Sequence, residues 1–253
     1  AVLVAVEMPL GKTRNLYGGF LQAIVIATVN SPSIYVLLES LRQYAPDIPI
    51  FLSGNNLGLW ARTRDYGNIT FRPNIASNFG DAYNDIIDYA FTRHDSLIVC
   101  NDDVVFTPTT LDLLKKDYEH LIVDREFKVG WLGARSDYVL HHQNIRFPVE
   151  QDQVQGLKYL SEGNIKEADV IAPICAVVNK EAWSVAKFPS INWFSDNIIC
   201  MDMSKAGYKH FVSRAYVHHA GSQTVGMDYE KCLEEPREWL MANRPDMYEV
   251  FYG

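Results

Sequence analysis

Two adjacent aspartates, Asp102 and Asp103, carry the strongest chemical signal in the chain. With Asn101 they separate two short apolar runs, residues 97–100 and 104–106. A run of that length reads as a buried strand. Carboxylates at its end are costly to bury unless they are paired or bind a cation. A Mg²⁺ or Mn²⁺ ion suits them, because such cations take oxygen ligands and share them with substrate phosphates. In open α/β sheets the carboxyl ends of strands are also where ligands collect. A polar turn that holds nothing is the plain alternative. A second polar cluster, Asn78, Gly80, Asp81 and Asn84, stands where a helix begins. Exposed backbone N–H groups there favour anions, or Asn78 is a simple cap. Gly11-Lys12-Thr13 imitates the tail of a phosphate-binding P-loop, but the upstream glycine and the strand-loop-helix frame are missing.

The elements that must position these residues alternate between strand and helix. Residues 23–28 form a β-branched run, the pattern of a strand buried on both faces. Ser31 can cap a helix with Pro32 at its first position, and Ile34, Leu37, Leu38 and Leu41 give that helix an apolar stripe. Strands are expected at 48–52, 69–71 and 97–100, with a helix over 82–90 on the face of Ala82, Ile86 and Ala90. A helix follows Thr109, and a strand spans 129–134. The stretch 135–166 is polar and irregular, and residues 170–178 read as a bent strand or strand pair. Short helices are expected at 180–186 and from Asp196 to a glycine stop at Gly207. The last strand, 210–217, runs into His218 and His219. A tail from 228 to 252 reads as an amphipathic helix broken near Pro236 and Pro245. A short strand at 2–6 is also possible. This order predicts an α/β fold, a central mostly parallel sheet flanked by helices. It is read as one domain over 1–253: a nucleotide-binding half at about 22–106, an acceptor half at about 107–227 and a helical tail at 228–253.

Composition narrows the partners. The 253 residues carry a net charge of −8, which disfavours nucleic acid or an anionic membrane surface. No apolar run is long enough to cross a bilayer. The four cysteines, Cys100, Cys175, Cys200 and Cys232, form no C-x-x-C pair. They read as reduced thiols in a cytoplasmic protein.

Taken in order, these pieces resemble the GT-A glycosyltransferases, most closely the large family 2 of nucleotide-sugar transferases. Residues 24–32 resemble that family's first strand and turn, and residues 50–56 its second strand and nucleotide-contacting loop. Asn78, Gly80 and Asn84 match its N-x-G segment with one fewer intervening residue. Asn101-Asp102-Asp103 resembles its D-x-D metal motif. Ser195-Asp196 and Ala206-Gly207-Tyr208 match its E-D and A-G-Y pair at the family spacing. His219-Ala220-Gly221-Ser222 matches its H-x-G-x-S pattern. Two positions depart: Asn101 stands where aspartate is frequent, and Ser195 replaces a glutamate.

The resemblance implies a metal-dependent, inverting transfer from a nucleotide-diphosphate sugar, a UDP-sugar by preference, to a hydroxyl of an unknown glycan, lipid-linked or small-molecule acceptor. Asp103 and His219, or its neighbour His218, would hold Mn²⁺ or Mg²⁺. Thr28, Asn30, Asn55, Asn78, Gly80, Asn84, Asn101 and Asp102 would serve the nucleotide. Asp196 would be the general base, and Trp193 and Trp131 could stack on a sugar face. Plainer roles exist for each: a helix cap for Asp196, surface positions for the histidines, core positions for the tryptophans. A nucleotidyltransferase and a non-catalytic nucleotide-sugar binder are the alternatives. The first usually carries a glycine-rich basic loop after its first strand, which residues 29–33 lack.

Overall fold

The computed structural model describes residues 21–29, 32–64, 66, 68–139, 141–147, 156–157, 164–221 and 229–253. The possible strand at 2–6, the Gly11-Lys12-Thr13 stretch, Asn30, Ser31 and Ser222 lie outside them.

The first half alternates strand and helix as the apolar periodicity requires. β1 (Ala23–Thr28), α1 (Ser33–Tyr44), β2 (Ile50–Gly54), α2 (Leu57–Thr63), β3 (Ile69–Pro73), α3 (Phe79–Phe91) and β4 (Ser96–Cys100) follow in turn. β1 is a continuous apolar run because both of its faces are covered. Ile24 and Ile26 pack with Leu37, Leu38 and Leu41 of α1, while Ala23 and Val25 face Ile86 and Ile87 of α3. Burying side chains of this size stabilises by about 1.5–3 kcal/mol each. α2 was not foreseen; Asn56 starts it by accepting the Gly58 N–H at 2.7 Å.

The second half holds β5 (Val104–Phe106), α4 (Thr110–Glu119), β6 (Val129–Ser136), a small hairpin of β7 (Arg146–Phe147) and β8 (Gly156–Leu157), β9 (Lys166–Ala168) and β10 (Cys175–Asn179). It continues with α5 (Lys180–Val185), α6 (Ser195–Lys205), β11 (Lys209–His219), α7 (Tyr229–Asn243) and α8 (Pro245–Tyr252). Of the expected 170–178 strand only the part after Pro173 and Ile174 forms. The tail helix passes through Pro236 without breaking, and breaks as expected near Pro245, at Arg244. Buried Pro236 and Leu240 hold its inner face.

The main sheet runs β3-β2-β1-β4-β10-β6-β11-β5, with β9 added alongside β11. β1, β2, β3, β4, β6 and β11 point one way; β5, β9 and β10 oppose them. Two features of this order build the site. The chain steps from β1 outward to β2 and β3, then crosses back to β4 on the other side of β1. That reversal opens a crevice between the carboxyl ends of β1 and β4. In addition, β4 and β5 are joined by Asn101, Asp102 and Asp103 alone, yet stand four places apart in the sheet. Flat strands about 4.8 Å apart would need about 19 Å there, and the link reaches about 14 Å at most. The sheet therefore curls, helped by register shifts in β11 on either side of Val212. The far half of β11 swings over the crevice and pairs His219 with Val104.

Candidate active site

The crevice is a cleft of about 810 Å³. Thr28 ends β1 and Asp102 follows β4, so the two meet across the strand reversal. The Thr28 hydroxyl donates to Asp102 Oδ2 at 2.5 Å. Asp103 faces the end of β11, where its Oδ1 stands 3.0 Å from His219 Nε2. Both aspartates and His219 are buried, and all three line the cleft. The backbone fixes this pairing, because the Asp103 carbonyl accepts the Ala220 N–H at 3.0 Å. Asn101 is held from below: its N–H donates to the Ile174 carbonyl at 2.9 Å. Asn55, at the end of β2, and Asn78, at the head of α3, border the same space. Asn78 also caps α3, its Oδ1 accepting the Asp81 N–H at 2.9 Å, so cap and cleft position coincide.

The opposite wall comes from the loop before α6. Trp193, Phe194, Ser195, Asp196 and Asn197 line it. Phe194 adopts φ 63°, a left-handed conformation uncommon for a bulky side chain. Its ring stacks on Phe251 of α8, with centroids 4.4 Å apart. Ser195 is buried and donates to the Ile191 carbonyl at 2.8 Å. Asp196 is left as the carboxylate that this turn contributes to the cleft.

Electrostatics follow from burial. Withdrawal from water pushes Asp102 up to about 6; the Thr28 hydroxyl opposes this and the Asp103 charge adds to it. For His219, burial alone would lower the pKa. The hydrogen bond and charge of Asp103 outweigh it, and the net shift is upward. His219 Nδ1 hydrogen-bonds the Tyr138 carbonyl. A carbonyl can only accept, so Nδ1 carries the proton, and in the neutral ring Nε2 directs a lone pair at Asp103. Something positive belongs between Nε2 and Oδ1: a proton or a metal ion.

Among the described residues, no group of three or more His, Cys, Asp and Glu is gathered to hold a metal. A Mg²⁺ or Mn²⁺ ion need not have one, since it keeps waters and takes phosphate oxygens beside one or two carboxylates. Bonds of about 2.1 Å at right angles set neighbouring ligand atoms about 3 Å apart. The 3.0 Å between His219 Nε2 and Asp103 Oδ1 fits that requirement. Asp103 and His219 can thus hold such a cation jointly with a diphosphate.

Other expected site residues fall elsewhere. Trp131 is fully buried in the core, stacked on Phe188 at 5.9 Å and edge-on to Trp183, so no face is open to a sugar. His218 points away from Asp103, because neighbouring residues in a strand face opposite sides; its Nδ1 pairs with Asp137 Oδ2 at 2.8 Å. Gly80 and Asn84 do not border the cleft but fasten its wall. A Cβ at Gly80 would lie 1.7 Å from the Pro189 carbonyl oxygen. Asn84 both donates to the Phe188 carbonyl at 2.8 Å and accepts the Phe188 N–H at 3.1 Å. Conversely, Tyr83, Phe79, Asn192, Leu233 and Glu235 line the cleft without having been foreseen. Asn192 bridges two elements: its Oδ1 accepts the Phe79 N–H at 2.9 Å, and its Nδ2 donates to Glu235 at 2.8 and 2.9 Å. The N-cap pattern at Asn78 pointed at this region; nothing local marked Asn192 or Glu235.

No family model and no curated protein matches the sequence. Solved structures do match. GalNAc-T7 with UDP, GalNAc and Mn²⁺ superposes with a TM-score of 0.59 at 11% identity, over 80% of this chain and 44% of that one. TarS 1–349 of S. aureus in complex with UDP-GlcNAc gives 0.54 at 14% identity, over 88% of this chain and 66% of that one. The fold is GT-A. The inositol-1-phosphate CTP transferase of T. maritima also matches, at a TM-score of 0.48, 12% identity and 87% of this chain. This chain spans less than half of GalNAc-T7 and about two thirds of the TarS fragment. No described helix of this GT-A chain is long and apolar enough to cross a membrane.

Proposed function

We propose that the cleft binds a nucleotide-diphosphate sugar, a UDP-sugar by preference, with Mn²⁺ or Mg²⁺, and transfers the sugar to an acceptor hydroxyl with inversion. The observation that carries this reading is the Asp103–His219 pair on the floor of a cleft whose opposite wall bears Asp196. The charge of the lining supports it. Asp102, Asp103, Asp196 and Glu235 all border the cleft, and the described lining holds no Lys or Arg. A diphosphate entering alone would meet repulsion; a divalent ion on Asp103 and His219 removes it.

In this reading Thr28, Asn55 and Asn78 line the nucleoside end, and Asp102 stands between nucleotide and metal ligands. A bound divalent ion would act as a Lewis acid, neutralising charge on the leaving diphosphate. Asp196 accepts the proton of the acceptor hydroxyl as that oxygen bonds the anomeric carbon. The bond from that carbon to the diphosphate oxygen breaks, and its electron pair leaves with the diphosphate. One base on the acceptor side implies a single displacement with inversion. Such a base contributes about 10²–10⁴-fold. Trp193, on that side of the cleft, would offer an aromatic face to a sugar.

The experiment is thermal denaturation with UDP, GDP and dTDP, each with and without Mn²⁺, on the parent, His219→Ala and Asp196→Asn. A nucleotide at about 100 times its Kd adds about 2.7 kcal/mol. The expected result is stabilisation by one nucleotide only with Mn²⁺, lost in His219→Ala and kept in Asp196→Asn, which releases no nucleotide from its sugar donor. If no nucleotide stabilises the parent under either condition, the reading fails. If binding holds but Asp196→Asn turns over like the parent, Asp196 is not the base.

A further inference from the structure

Asp137 lies just past the end of β6 and next to the end of β11, outside the cleft lining, and it is nine-tenths buried. A buried carboxylate of this kind needs several donors, and this one has them. Its Oδ1 accepts the backbone N–H of His219 at 3.2 Å and the Ser136 hydroxyl at 3.3 Å. Its Oδ2 takes His218 Nδ1 at 2.8 Å and Arg146 Nη2 at 3.3 Å. Tyr216 also hydrogen-bonds it. Three of these donors belong to the last four residues of β11. The next residue, Tyr138, supplies the carbonyl that receives His219 Nδ1–H, and its ring lies edge-on to the imidazole at 6.2 Å. One short stretch after β6 thus holds both the backbone and the ring of His219.

We infer that Asp137 is a positioning residue for His219: it pins the end of β11 so that the Tyr138 carbonyl fixes the ring with Nε2 facing Asp103. This rests on the metal-site reading above, and of its two readouts one needs no metal. Partners of this kind around a metal-binding histidine are typically worth 10–100-fold in affinity. The alternative is that Asp137 only stabilises the strand end, which would lower the melting temperature without touching metal affinity.

The decisive measurement is a double-mutant cycle in Mn²⁺ affinity, read from the free-ion electron paramagnetic resonance signal with no nucleotide present. Asp137→Asn should weaken Mn²⁺ binding by about 10–100-fold. In a His219→Ala background the same change should add nothing further, because its effect passes through His219. Equal affinity in Asp137→Asn, or a loss that adds fully to that of His219→Ala, overturns the inference. Histidine ¹⁵N resonances provide a second readout that needs neither metal nor variant. At a pH where His219 is neutral, the parent should show it as the Nδ1–H tautomer, and Asp137→Asn should show mixed tautomers. An Nε2–H tautomer in the parent overturns the positioning even if Asp137→Asn does not fold. A parent that shows the expected tautomer yet binds no Mn²⁺, alone or with UDP present, would instead remove the metal-site reading and leave Asp137's hold on His219 standing.

Discussion

Removing one methyl-sized oxygen should reveal how the crevice carboxylates are balanced. Thr28→Val keeps the shape of the β1 end but withdraws the hydroxyl that Asp102 accepts. At pH 7.5 the loss should be about 1–3 kcal/mol in urea unfolding, the cost of an unpaired buried acceptor. It should shrink at pH 5, where Asp102, pushed up to about 6, carries a proton. The same shift gives the metal-free protein a pH slope. Asp102 and His219 are both raised, so the folded chain binds these protons more tightly than the unfolded chain does. The Asp102 contribution is complete below its ordinary 3.8 and lost as pH climbs through about 6. That of His219 is complete below 6.5 and lost as pH rises through its raised value. Between pH 5 and 8.5 the urea midpoint should therefore fall, and added Mn²⁺ should restore most at the alkaline end. A flat profile would sink this account. The Asp-Asp pair was legible in sequence because charges following an apolar run are conspicuous. Which histidine faces it was not, because strand alternation gives the opposite face to each neighbour but does not say which face looks inward.

At the scale of elements, α3 and the loop before α6 are held together by close approach. Gly80→Ala would set a Cβ against the Pro189 carbonyl, and the wall carrying Asp196 must retreat. We expect a loss of about 1–3 kcal/mol, the range for overpacking. We also expect turnover to drop more than nucleotide–metal binding, because the floor of the cleft stays in place. Comparing kcat with the nucleotide-induced thermal shift checks this; equal losses in both would argue against a local effect. Phe251→Ala should act on the same loop from the other side by unstacking Phe194, again lowering kcat ahead of binding. Apolar periodicity revealed α1, α3, β1 and β4, whose contacts repeat along the chain. It did not reveal that Gly80 and Asn84 serve the 188–191 segment rather than a ligand, because that demand comes from residues about a hundred positions away. Trp131 shows the same limit: an indole in a strand looks alike whether its face meets a sugar or Phe188.

For the whole molecule, the α/β order and the mostly parallel sheet could be read from the alternation of runs, and the GT-A likeness of solved structures agrees with it. The curl of the sheet could not, because it follows from a three-residue link whose meaning appears only once β10, β6 and β11 are placed between its ends. That curl has a kinetic consequence. Asp103 and His219 meet across more than a hundred positions of chain, so their junction closes a long loop, an entropically late event in folding. Contacts that form after the rate-limiting barrier leave the folding rate unchanged and slow escape from the native state. Mn²⁺ should accordingly reduce the unfolding rate in stopped-flow chevrons while leaving the refolding limb where it was. The cation would then act as a latch on a chain that has already closed, and its removal would shorten the native lifetime without delaying refolding.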